Sequence, residues 1–180
     1  MHSQMDRRKT DLHESLISDR LGTNDAVWTM KGGMTMPRIL LLQGANMNFL
    51  GIREPEKYGT TTAAQLDAMV NEHARATGYT VEIFYTNCEG AMIDRILSEH
   101  GALDSAAVLN PGGFCYAGYA LRDCIRGVDL PVIEVHMTNH YTRGIRSVVA
   151  EACTGVFMGV GIQTYFSAIE AALELIRSKN

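Results

Sequence analysis

From Pro37 onward the chain alternates short apolar runs with amphipathic stretches, and that alternation admits few architectures. Arg38 to Gly44 (RILLLQG), Thr80 to Tyr85 (TVEIFY), Ser105 to Leu109 (SAAVL), Pro131 to His136 (PVIEVH) and Gly155 to Val160 (GVFMGV) are short and apolar, mostly with β-branched residues. They read as five strands covered on both faces. Between the first two, Thr62 and Gln65 form a T-x-x-Q capping box. Leu66, Met69, Val70 and Ala74 then hold one helical face, and Gly78 stands where the helix should stop. Gly90 to His100, Ala117 to Arg126 and Thr164 to Arg177 supply three more helices.

Right-handed crossovers leave few ways to connect five parallel strands, and the spacing favours a flavodoxin-like α/β three-layer sandwich with strand order 2-1-3-4-5. In such sheets ligands bind beyond the carboxyl ends of the strands, where the strand order reverses. The ends of the first and third strands are therefore the expected site. Residues 1–36 differ in kind: they are charged and polar, they hold the single tryptophan, Trp28, and they could form a short helix over 11–21. They read as an N-terminal extension to one domain over 37–180.

A formal net charge of -4 supplies no basic field for a phosphate backbone, so neither nucleic acid nor an anionic membrane is an expected partner. No apolar run is long enough to cross a bilayer, and the first residues lack the apolar segment of a secretory signal, which points to the cytoplasm. Cys88, Cys115, Cys124 and Cys153 have no ligand-like spacing; they read as small core residues, and no metal site is expected. Neither a phosphate loop nor a dinucleotide loop follows the first strand, so nucleotide binding by backbone amides has no support.

Three constellations could carry chemistry. A long polar loop follows the first strand, with Gly51 and Gly59 as candidate hinges and Arg53 and Tyr58 between them. A tyrosine becomes a base near neutrality only if a cation stabilises its phenolate, and Arg53 is available for that; spacing alone favours a packed Tyr58 and a solvated Arg53. After the third strand comes Asn110-Pro111-Gly112-Gly113, strong turn chemistry in itself, which would present an amide at a site mouth and let backbone approach a ligand. The fourth strand ends with Glu134 and His136 on one face, where a carboxylate fixes the imidazole tautomer and favours its charged form. A structural histidine is the commoner reading of such a pair. His73, His100 and His140 read as surface or helix positions.

Seven motifs, G-A-N-M-N-F-L-G, R-E-P-E-x-Y-G, N-x-E-G, I-D-R-I, N-P-G-G, A-L-R-D and P-V-I-E-V-H, run in this order from Pro37 towards Ile176. Together they resemble the type II 3-dehydroquinate dehydratases. The resemblance implies a flavodoxin-like homo-oligomer, a dodecamer of four trimers. It also implies cofactor-free conversion of a cyclic keto acid, 3-dehydroquinate, to 3-dehydroshikimate, in the shikimate pathway of aromatic amino acid biosynthesis or in quinate metabolism. It assigns Tyr58 as the base, with Arg53 stabilising its phenolate, and Asn46 as the holder of a water against the developing enolate oxygen. His136 becomes the acid and Glu134 its orienting partner. Asn110 then binds the region of the tertiary hydroxyl, and the backbone near Met137 and Thr138 holds the carboxylate. An imine route lacks a buried lysine, since Lys57 is the only lysine from Pro37 to Ile176.

The chain also departs from the family pattern. Ala45 stands where a proline is usual, and Tyr116 where a histidine contacts the distal ring hydroxyls together with an aspartate, matched by Asp123, from a neighbouring subunit. The segment after Asn139 is shorter than the family's H-A-R-E-x-F-R-x-H-S, leaving Arg143 and Arg146 both as candidate hydroxyl binders. The changed far-side groups admit two further readings: a paralogue acting on a related cyclic β-hydroxy ketone acid, and a catalytically silent metabolite-binding oligomer.

Overall fold

In the computed structural model, which describes residues 36–179, five parallel strands form one sheet in the order β2-β1-β3-β4-β5. The strands are β1 (Arg38–Ala45), β2 (Thr80–Tyr85), β3 (Ser105–Gly112), β4 (Val132–His136) and β5 (Gly155–Met158). The helices are a four-residue turn, α1 (Pro55–Tyr58), then α2 (Ala63–Thr77), α3 (Glu89–Leu97), α4 (Tyr119–Arg126) and α5 (Gln163–Lys179). This is the expected α/β sandwich. The extension, with its candidate helix and Trp28, lies outside the described residues except for Met36.

The period-two alternation of the strands divides the core in two. Ile39, Leu41, Val108, Ile133 and Val135 face α2 and α5, whose Leu66, Val70, Ile169 and Leu173 pack on them. Leu40, Leu42, Leu109 and Val132 face the other way, onto Met92 and Ile96 of α3 and Leu121 and Ile125 of α4. Each such side chain taken fully out of water contributes about 1.5–3 kcal/mol. Only β1, β3 and β4 are covered on both faces; β2 and β5 are the edges and stay partly exposed, contrary to the uniform burial expected from their composition.

Helix α2 begins as its sequence dictates: Thr62 accepts from the Gln65 backbone, and the Gln65 side chain accepts from the Thr62 backbone. It ends at Gly78 in the left-handed conformation. The parallel crossover from β4 to β5 carries no α-helix. Two 3-10 turns, Tyr141–Arg143 and Ala150–Ala152, replace one, and Val149 anchors the connection in the α3/α4 side of the core. Cys115 is buried as expected, but Cys88 is exposed because it stands before α3, outside the packed layers.

Candidate active site

The carboxyl ends of β1, β3 and β4 surround a single cleft, and each end is shaped by a local backbone requirement. Beyond β1, Asn46 adopts the left-handed conformation (φ 71°), which asparagine tolerates better than most residues. Its backbone N–H donates to the Asn87 side chain at 2.7 Å. Asn87, in the N-x-E-G motif, thereby sets the position of Asn46, a role that its place after β2 did not reveal. The loop that follows is not the open polar segment its composition suggests. Residues 52–59 leave the domain at Gly51 and return beside it, since a Cβ on Gly51 would sit 2.9 Å from backbone atoms of Thr60 and Thr62. Near the returning end of that flap, α1 presents Tyr58 half-buried against the cleft and packed on the core.

At the end of β3, Asn110 donates through Nδ2 to the Tyr165 hydroxyl (2.8 Å) and accepts from the Gly112 N–H (3.1 Å). The Tyr165 hydroxyl in turn donates to Gln43 at 3.0 Å. Gln43 pairs in register with Asn110, so the three side chains form one buried row behind the cleft. The tight approach at Gly112 is to the neighbouring strand as well as to the cleft: a Cβ there would meet the Ala45 carbonyl oxygen at 2.1 Å. Both Gly112 and Gly113 line the cleft.

Strand β4 ends on the expected pair. Glu134 is wholly buried and His136 is 4% exposed, with Glu134 Oε1 at 2.5 Å from His136 Nε2. The second Glu134 oxygen accepts from the Cys153 thiol at 3.8 Å. Burial and that carboxylate push the Cys153 thiol up, and burial raises Cys115, on the cleft wall, to about 11, so neither offers a thiolate. His140 corrects the sequence reading. It is buried, it lines the cleft, and its ring packs on that of His136 because the turn at 141–143 folds back over the strand end. No periodicity runs past the last residue of β4, so nothing in the sequence marked this return.

The cation at Tyr58 is also not the expected one. Arg143 Nη1 donates to the Tyr58 hydroxyl at 3.4 Å while its Nη2 donates to Thr138 Oγ1 at 2.7 Å, and its guanidinium carbon lies 5.9 Å from the Tyr58 ring centre. Arg53 lines the cleft but pairs with its neighbour Glu54 at 3.3 Å. Asn46, Asn110, Tyr116, Met137 and Thr138 face the same space, with Ile145 beside them. Asp123, exposed on α4, and Arg146, exposed after the shortened segment, do not line it. Among the described residues two arginines and no carboxylate line the cleft, which suits an anion. No group of three or more His, Cys, Asp or Glu side chains among the described residues is arranged to hold a metal ion.

Comparison with known proteins bears on this geometry. Residues 37–173 match the family model described as dehydroquinase class II. The catabolic 3-dehydroquinase 2 of Aspergillus flavus is 44% identical over 142 residues, which cover 77% of this chain and 94% of that protein. The 3-dehydroquinate dehydratase of Bacillus cereus strain AH820 is 43% identical over 147 residues, 79% of this chain and 99% of the relative. The crystal structure of a type II dehydroquinase from Butyrivibrio crossotus superposes with a TM-score of 0.72 at 36% identity, over 76% of this chain and 97% of the other.

Proposed function

The chain belongs to the class II dehydroquinase family, and on that footing we propose that it is a 3-dehydroquinate dehydratase. It is a hydro-lyase that converts 3-dehydroquinate to 3-dehydroshikimate through an enolate. Tyr58, as phenolate, takes the proton next to the ketone, and the electron pair moves onto the ketone oxygen. A water held by Asn46 receives that developing charge. The enolate then reforms the ketone, the C–O bond at the β-carbon breaks, and His136 gives its proton to the departing hydroxyl, which leaves as water. One proton has been taken by Tyr58 and one given by His136, so the resting state returns when a proton passes from phenol to imidazole.

Arg143, rather than Arg53, is the cation that stabilises the phenolate, because it reaches the Tyr58 hydroxyl while Arg53 pairs with Glu54. Glu134 orients His136. Asn110 and the backbone of Met137 and Thr138 hold the tertiary hydroxyl and the carboxylate. Tyr116, with Asp123 of a neighbouring subunit and Arg146, reads the far ring hydroxyls. The position of Asp123 outside its own cleft suits a site completed across a trimer, within a dodecamer that works in the cytoplasm. No helix among the described residues is long and apolar enough to cross a membrane.

The observation that carries the reading is the meeting of Tyr58, Asn46 and His136 on one cleft lined by two arginines: a base, an oxyanion site and an acid. The family match and the named relatives favour this over a paralogue with another substrate or a silent oligomer. Enone absorbance should rise when the full chain meets 3-dehydroquinate and fail to rise with Tyr58→Phe. Absence of any rise at high enzyme concentration overturns the activity. A monomer in sedimentation overturns the role given to Asp123.

A further inference from the structure

A second imidazole covers the proposed acid. The His140 and His136 ring centres are 3.5 Å apart with their planes inclined at 49°. His140 is 7% exposed, and its Nδ1 has no hydrogen-bond partner among the described residues. A directed bond at Nδ1 therefore does not hold the ring in place; packing against His136 does. His136 is constrained differently, in its own plane, by the Glu134 carboxylate at Nε2. With Nε2 committed to that carboxylate, Nδ1 is the nitrogen of His136 left to serve the cleft.

Building on the acid role given to His136 above, we propose that His140 is a positioning residue for His136. Its ring packs at a tilt on the His136 ring and keeps that ring aligned on Glu134.

The charges around the two rings keep His140 uncharged. Glu134 on β4 is the one carboxylate among the described residues that pairs with either ring, and it touches His136 rather than His140. Arg143 faces His140 from the turn, Tyr58 faces Arg143 from the flap, and the thiols of Cys115 and Cys153 stay neutral. Glu134 lies on the His136 side and the Arg143 guanidinium on the His140 side, so a charge on His140 would meet positive neighbours without a carboxylate of its own. Burial, with His136 and Arg143 adding, lowers His140 to about 4. A neutral ring against an imidazolium face is attractive, and it also excludes water that would carry off the proton before the hydroxyl could take it.

The test is an NMR titration of the imidazole resonances of the full chain without substrate, from about pH 4.5 to about pH 9, combined with kinetics of His140→Ala, His140→Phe and His140→Lys. In the wild type, His140 should stay neutral above about pH 5. His140→Ala should lower kcat by about tenfold or more with little change in KM, and His140→Phe, which restores a flat ring, should recover most of that loss. His140→Lys, which sets a cation where the fold holds a neutral ring, should lower kcat by more than His140→Ala does. A wild-type His140 that titrates near the ordinary value of an imidazole overturns the proposal. So does a folded His140→Ala that keeps wild-type kcat. Should His140→Ala not fold, the wild-type titration of His140 and the kinetics of His140→Phe decide. A chain inactive on 3-dehydroquinate but titrating as described loses the activity assignment and keeps the pairing.

Discussion

Asn110 Nδ2 and the Tyr165 hydroxyl stand 2.8 Å apart, and this hydrogen bond ties a cleft-lining side chain of β3 to the packed interior face of α5. Because the same hydroxyl donates to Gln43, Tyr165→Phe strands two buried polar groups at once. Leaving such groups unpaired costs about 1–3 kcal/mol. Urea unfolding should show a loss of that size. KM should rise more than kcat falls, since Asn110 binds without moving protons.

Arg143 and Arg53 make a clear comparison because both line the cleft while only Arg143 reaches the Tyr58 hydroxyl. Tyr58→Phe should reduce kcat by about 10²–10⁴, the usual weight of a general base. Arg143→Gln should cost about 10–100-fold in kcat, and Arg53→Gln less. Steady-state kinetics with the opposite order would return the phenolate's cation to Arg53.

His140 gives the fold a pH signature of its own. Its ring is held at about 4 against an ordinary 6.5, so between these values the unfolded chain binds a proton that the folded chain refuses. Stability from this group is complete above about pH 6.5, declines as pH falls, and levels off below about pH 4, a span of about 3 kcal/mol. Urea midpoints across that window should fall more steeply for the wild type than for His140→Phe. Parallel curves would show that burial does not hold the ring neutral.

Gly112 and Gly59 both have positive φ, at +54° and +82°, but differ in what surrounds them. An added methyl at Gly112 meets the Ala45 carbonyl oxygen, and β1 and β3 must part where they frame the cleft. Gly112→Ala should cost upward of about 3 kcal/mol and abolish activity. Among the described residues nothing lies within 4 Å of a Cβ at Gly59, so Gly59→Ala should cost only about 1–2 kcal/mol, for the backbone alone. Thermal midpoints of the two variants check the difference.

What the sequence disclosed follows the range over which its signals act. The capping box at Thr62 and Gln65, the stop at Gly78 and the alternation placing Glu134 beside His136 are local, and all three appear where expected. Arg143 meets Tyr58 across 85 positions, and Asn110 meets Tyr165 across 55, so no spacing rule could pair them. Arg53 looked the better partner for Tyr58 because it is near in sequence, yet its immediate neighbour Glu54 takes it. His140 was misread because its burial comes from a turn after β4 rather than from any repeating pattern.

The flap that bears Tyr58 exits and re-enters the domain at one narrow neck, where Gly51 lies against Thr60 and Thr62. A segment so joined is a cassette: a relative's version can be transplanted whole, exchanging the base and its neighbours while the sheet beneath keeps its acid. Chimaeras cut at this neck offer a direct way to learn which half of the chemistry sets turnover.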